Sequence, residues 1–256
     1  MLLPDHGRVE CAVCHRGQPY AFDKTRTEDA GWRITANPLA WGNPAPEVLV
    51  LGFSKGPTQA GALVSQPHDQ IAYRGGRTNL AKILHHVRLL ATPDGRLVDQ
   101  AISHRRGRFH FGSLIRCTVE RFDKKEADPA KQWKGTGGGM LDKFVAGDFG
   151  RTVLGNCSTR FLRDLPSRTK LILMLGLGPR GNYVAACRQA LATVRPGRWR
   201  TVNEVTYADD NVVVVHTEHF ASQGALLPNW LSGELHQRGR LGILAREGVR
   251  VAMGRP

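Results

Sequence analysis

The first residues able to do chemistry are Cys11 and Cys14, a C-x-x-C pair inside VECAVCHRG. Two soft ligands at this spacing read as a redox couple, as half of a metal site, or as coincidence. A redox couple sits at a helix start behind a strand, and no strand pattern precedes this pair. A metal site needs two more ligands. Cys117 closes an apolar run and Cys157 stands at the expected start of a helix, both next to loops. Cys187 falls on the apolar stripe of another helix and reads as a core thiol. Four thiolates suit tetrahedral zinc or a [4Fe–4S] cluster, and ligand type alone does not choose between them. His15 is an alternative ligand. Only five cysteines in a chain of 256 residues argue against a disulfide framework.

Four apolar runs read as the strands that would position these residues: Val48–Leu51, Phe109–Cys117, Leu171–Leu175 and Val212–Val215. Three of them lack polar–apolar alternation, the mark of strands covered on both faces. Helical patterns lie between them. One runs from Thr78 with Leu80, Ile83, Leu84 and Val87 on one face. A short one is expected to be capped by Ser158, and another by Asn182. Strand–helix alternation predicts an α/β fold, a three-layer αβα sandwich around a central, mostly parallel four-stranded sheet. Residues 1–256 read as a single domain. Its glycine-rich polar stretch ERFDKKEADPAKQWKGTGGG predicts a mobile insertion over 120–156.

In such sheets ligands gather at the carboxyl ends of the strands. The loops there are GFSKGPTQAG, RCTVE, GLGPRG and HTEHFASQG. Gly52 and Gly56 permit close backbone approach, and the N–H groups around Ser54 can bind phosphate or base oxygens. His216, ending the last strand, is a hydrogen-bond donor or an ordinary strand-capping histidine. GLGPRG has the letters of a dinucleotide-binding turn, but Pro179 stiffens it and no strand ending in an acid follows at the required distance. A phosphate-contacting turn or tight helix packing explains its glycines better.

Lys and Arg outnumber Asp and Glu by 36 to 22, a formal charge of +14. The excess is scattered, which suits a phosphate-facing surface and makes nucleic acid the expected partner. No apolar run is long enough to cross a bilayer. The start, MLLPDHGRVE, lacks the pattern of a signal peptide. A cytoplasmic monomer is the expectation.

In order along the chain, CAVC (11–14), GFSKG (52–56), AYRGGRTNL (72–80), SLIRC (113–117), CSTRFL (157–162) and VVHTEHF (214–220) resemble the motifs of the uracil-DNA glycosylase superfamily, particularly its iron–sulfur branch. The resemblance spans about 200 residues. It implies a DNA-repair glycosylase that flips uracil out of DNA and hydrolyses its N-glycosidic bond. It implies that Cys11, Cys14, Cys117 and Cys157 hold a structural [4Fe–4S] cluster, zinc being the alternative. Tyr73 would stack on the flipped base, with Gly52, Phe53, Gly56 and Ser113 around it. His216 would stabilise the anionic base oxygen, Phe220 would wedge into the vacated stack, and Lys55 and Arg74 would face the DNA. The first motif departs from the family. Phe53, Ser54 and Lys55 stand where the family carries an Asp, Asn or Glu that orients water, and Ser113 replaces its uracil-reading Asn. Ser54 is a weak substitute for a carboxylate, so Glu218, His219 and Asp69 are the candidates for that role, Glu218 foremost. A DNA-damage or abasic-site binding protein with little or no turnover is the alternative function.

Overall fold

The computed structural model describes residues 2–254, the side chain of Arg180 excepted. Its strands are β1 (Gly7–Arg8), β2 (Arg26–Asp29), β3 (Trp32–Thr35), β4 (Leu39–Gly42), β5 (Val48–Gly52), β6 (Phe109–Ser113), β7 (Thr118–Phe122), β8 (Trp133–Gly135), β9 (Leu171–Leu175), β10 (Arg200–Asn203), β11 (Thr206–Ala208) and β12 (Val213–Thr217). Its α-helices are α1 (Pro57–Gly61), α2 (His68–Ile71), α3 (Arg77–His86), α4 (Gly95–Ser103), α5 (Leu141–Val145), α6 (Asp148–Leu162), α7 (Asn182–Val194), α8 (Leu226–Leu231) and α9 (Gln237–Ala252). None of them is long and apolar enough to cross a membrane.

The expectation of a four-stranded central sheet is wrong. The main sheet has eight strands in mixed orientation, ordered β1-β4-β6-β5-β9-β12-β11-β10, and a separate antiparallel sheet runs β2-β3-β7-β8. The four apolar runs became β6, β5, β9 and β12, parallel neighbours in the middle. Antiparallel strands extend the sheet on both sides. These edge strands are two to four residues long, too short to show a period of two in the sequence.

Residues 120–156, expected to be one mobile insertion, contain the end of β7, all of β8 and α5, and the first part of α6. Arg33 clamps Glu120 through two hydrogen bonds (2.8 and 3.0 Å), and its guanidinium lies 4.4 Å from the Trp133 ring centre. Cross-strand pairs of this kind hold the second sheet together, and they join residues about a hundred positions apart. The helix expected to open at Ser158 begins at Asp148 instead, with Ser158 buried in its interior. Gly150 lets α6 pack onto α5, since a Cβ there would strike the Phe144 carbonyl. The small residues that allow this contact also mask the helical pattern.

Two apolar clusters cover the main sheet. On β5, Val48 and Val50 enter one, with α3 and α4, while Leu49 and Leu51 enter the other, with α6 and α7. That two-sided burial is why the run shows no alternation. GLGPRG is a packing turn: Gly176, Gly178 and Gly181 all have positive φ, and a Cβ on Gly178 would collide with Asn182 and Tyr183 of α7. Its glycines bring α7 close to β9.

Candidate functional site

At the carboxyl ends of β5 and β6 lies a cavity of about 490 Å³. Gly52, Phe53, Ser54, Gly56, Tyr73, Arg74, Ser113 and Phe220 all line it. The fold therefore brings together eight residues chosen from four separate sequence motifs. Carbonyls of Gly52 and Phe53 accept the N–H groups of Leu114 and Ile115, which lock the two strand-end loops together. The Ser54 hydroxyl oxygen is buried without a hydrogen-bond partner.

Tyr73 has left-handed backbone, φ 51°, a costly conformation for an aromatic residue. The turn sets its ring against the edges of Phe111 and Phe220, with centroids 5.8 and 5.3 Å away. Its hydroxyl reaches the Val50 carbonyl at 3.3 Å, and burial pushes the phenol pKa up. Phe220 lies over Gly76, where any Cβ would overlap its ring, and Asn79 donates to its carbonyl at 3.0 Å. Arg74 is exposed at the rim, bonded to Gln66.

The structure does not bring His216 to this cavity. It is fully buried on β12, between the Tyr207 hydroxyl (3.2 Å) and the Gly176 carbonyl (3.1 Å), and burial lowers its pKa to about 4. Three residues on, His219 lines the cavity. Its Nδ1 accepts the Ala221 N–H at 3.1 Å, so in the neutral ring the proton sits on Nε2. Desolvation lowers its pKa, against the pull of Glu218, and keeps the ring neutral at neutral pH. Sequence reasoning placed the donor on the strand's last histidine, but the strand continues through Thr217 and only the residues after it can turn inward.

Glu218 does not face the cavity as a free carboxylate. One oxygen accepts the His219 N–H (2.9 Å) and the Ser222 hydroxyl (2.6 Å), and the other is paired with Arg238 (2.5 Å). It shapes the loop that presents His219. Asp69 sits with His6 and His68, their ligand atoms within 4.8 Å of one another. Their hydrogen bonds oppose a metal there. His6 Nδ1 accepts the Gly42 N–H, which leaves the neutral ring's proton on Nε2, the nitrogen 2.8 Å from Asp69 Oδ1 and the one a shared metal would need free. Among the described residues lining the cavity, none is acidic.

Lys55 does not face DNA either. It alternates with Ser54 and Gly56 and points the other way, fully buried, donating to the Arg116 carbonyl. Cys117 and Cys157 are buried in the apolar cluster on that side, and Cys11 and Cys14 pack against it. Asn156 donates to Cys14 Sγ at 3.4 Å, and Arg160 to the Glu10 carbonyl at 3.0 Å, so α6 holds the C-x-x-C segment. Cys157 lies well inside α6 and not at a helix start. Burial raises the Cys117 thiol to about 11 and pushes Cys157 up further, with the neighbouring cysteines adding to both shifts. Burial lowers Lys55 to about 8 and Arg116 to about 10. The Arg116 guanidinium bonds the Leu39 carbonyl and His110 Nε2, and its Nε has no partner. No carboxylate hydrogen-bonds either cation among the described residues. Two buried positive charges thus stand beside four thiols, an arrangement that thiolate charge would neutralise. Among the described residues no three sulfurs lie within 4.8 Å of one another. Tetrahedral zinc, with Zn–S about 2.3 Å, would need them about 3.8 Å apart. His15 uses Nδ1 on Thr27, 2.8 Å away.

The cavity's remaining wall was not foreseen. Gly135, the last residue of β8, and Thr136 and Gly137 after it line the cavity, and Gly135 packs against Pro57 so closely that a Cβ would clash. Only the WKGTGGG glycines hinted at this. A scan against protein-family models matches none, and no curated protein matches the chain.

Proposed function

We propose that this chain acts on DNA as a glycosylase that receives an extruded uracil in the 490 Å³ cavity. The observation that carries the reading is His219, a neutral imidazole whose Nε2–H is available at the wall of a cavity floored by Tyr73. When the bond between C1′ and N1 breaks, negative charge grows on the base oxygens, and a fixed neutral donor stabilises it without first losing a proton. Tyr73 and Phe53 offer apolar surface to the base, and the backbone of Gly52–Ser54 approaches its edge. Water adds its hydroxyl to C1′ and its proton to N1. Ser54 lines the cavity with its hydroxyl buried and unpartnered, and in this reading it takes up that water once the base and loop have shifted to admit it. Arg74 at the rim and the +14 surface would bind phosphates, so affinity falls steeply with salt.

Cys11, Cys14, Cys117 and Cys157 fit a thiolate-bound cofactor, on the evidence of the buried Lys55 and Arg116 near them and the unpartnered Arg116 Nε. A [4Fe–4S] cluster is the group we propose, with zinc as the alternative, and its role in this reading is structural. It would tie the N-terminal segment and α6 to the loop carrying Ser54.

A second reading has its own observation: among the described residues no carboxylate lines the cavity. A protein that holds an abasic or damaged nucleotide without turning it over needs no water-activating group. One assay separates the two. Pure protein is incubated with uracil-containing and control oligonucleotides, and abasic product is cleaved with alkali. Cleavage that falls about 100- to 1,000-fold in His219→Ala, with DNA binding nearly unchanged, supports the glycosylase. Tight binding to abasic DNA with no cleavage of any substrate supports the binder.

A further inference from the structure

At the other end of the main sheet, a larger cavity of about 800 Å³ opens between α3, α8 and α9. Five residues of parallel strand separate it from the base cavity, about 17 Å at 3.3 Å per residue, so the two do not share a ligand. Lys82, Arg88, Arg108 and Arg246 line it, and among the described residues no acidic one does. One side is apolar, formed by Leu89, Pro93 and Leu231.

The cations differ in their engagement. Arg108 is already paired with Glu47 (2.9 and 3.0 Å). Arg246 has a buried Nε with no hydrogen-bond partner. His86, which also lines the cleft, packs at a tilt on the buried Trp230 ring (centroids 4.7 Å apart) and lies close enough to Arg246 for that charge to help lower its pKa. A buried donor without an acceptor costs about 1–3 kcal/mol, and such groups persist in folded proteins mostly where a ligand, ion or water satisfies them. A cleft of this volume is in the range of small-molecule sites. Its half-cationic, half-apolar lining suits an anionic group attached to an apolar body.

We propose that this cleft binds a phosphate-bearing ligand of nucleotide size. Arg246 meets the phosphate, Lys82 sits at the mouth, and the Leu89–Leu231 side covers the sugar or ring. The ligand is a free nucleotide or the phosphorylated end of a nucleic-acid strand. The assignment does not rest on the glycosylase reading.

The test titrates the full chain with inorganic pyrophosphate, adenosine 5′-monophosphate, and an oligonucleotide with and without a 5′-phosphate, by calorimetry and tryptophan fluorescence. Arg246→Met should weaken binding at least about tenfold and Lys82→Gln by a smaller factor. Arg250→Gln, exposed on the same helix, should bind like wild type. Unliganded Arg246→Met should melt no lower than wild type, because it removes an unpartnered buried group. Binding of the mononucleotide assigns a free ligand, and binding of the phosphorylated oligonucleotide alone assigns a strand end. The proposal is overturned if wild type binds no probe at about 10 mM, beyond the range of specific sites. It is equally overturned if Arg246→Met binds as well as wild type. Should Arg246→Met fail to fold, unchanged binding in Lys82→Gln overturns it.

Discussion

The loop from Gly52 to Pro57 has two faces with opposite surroundings. Gly52, Phe53, Ser54 and Gly56 meet a cavity whose walls are almost uncharged: a neutral histidine, aromatic rings and glycine backbone. Lys55, in their midst, is fully buried beside Arg116, Cys117 and Cys157, with Asp23 the carboxylate whose charge reaches it. The cavity has donors and shape, which suit a flat neutral heterocycle whose charge appears only during reaction. The thiol side has two buried cations, Lys55 and Arg116, whose charge thiolates would offset. One loop therefore couples recognition to whatever neutralises Lys55, so damage on the thiol side should reach the cavity through Ser54.

The strongest way to break this comparison is Cys157→Ser, or removal of metal by a chelator. Either should abolish visible thiolate–iron absorption and lower stability by about 3–5 kcal/mol, the usual cost of stranding a buried charge, measured by urea denaturation. Cys187→Ser, equally buried but against Tyr183, should keep the absorption. Equal loss in both variants would show that the thiol side is ordinary core.

Acid should come next. Burial holds His216 at about 4, whereas an unfolded chain titrates near 6.5. Above pH 6.5 neither state binds the proton. As pH falls from there toward 4, the unfolded chain takes up a proton that the folded one refuses, so stability declines. At about 1.4 kcal/mol per unit the loss reaches roughly 3 kcal/mol by pH 4. Denaturation curves at pH 7 and pH 4.5 measure it, and His216→Gln should remove its share of the dependence, leaving that of His86 and His110, with His219 in place. A His216→Gln variant as inactive as His219→Ala would sink the distinction between the two histidines.

The smallest effect sharpens the cavity's geometry. Gly76→Ala should push Phe220 off its seat at a cost of about 1–3 kcal/mol, since the new methyl occupies the ring's place. Binding of uracil-containing or abasic DNA should weaken about tenfold, with any thiol-side absorption untouched. Full retention of binding would mean that Phe220 takes no part in holding the ligand.

Much of the cavity was readable from local signals. Gly52, Tyr73 and Ser113 sit next to runs whose hydrophobicity marks buried strands, and strand ends in α/β sheets are where ligands bind. What failed had non-local causes. The edge strands and the second sheet pair residues far apart, such as Arg33 with Glu120, and leave almost no period in so few residues. Lys55 reads as a surface cation until neighbours on β6 and α6 enclose it, and Glu218 reads as a free base until Arg238 closes on it.

By composition and order alone, this chain determined the four central strands, the residues at their carboxyl ends, its basic character and the four cysteines that could act together. Local hydrophobic patterning and residue chemistry suffice for those. Only the tertiary structure decided that the sheet has eight strands, that a second sheet walls the cavity, that Lys55 turns inward and that His219 is the histidine facing the cavity. Each of those outcomes depends on which distant side chains remove water or charge from a given atom, and no stretch of sequence contains its own surroundings.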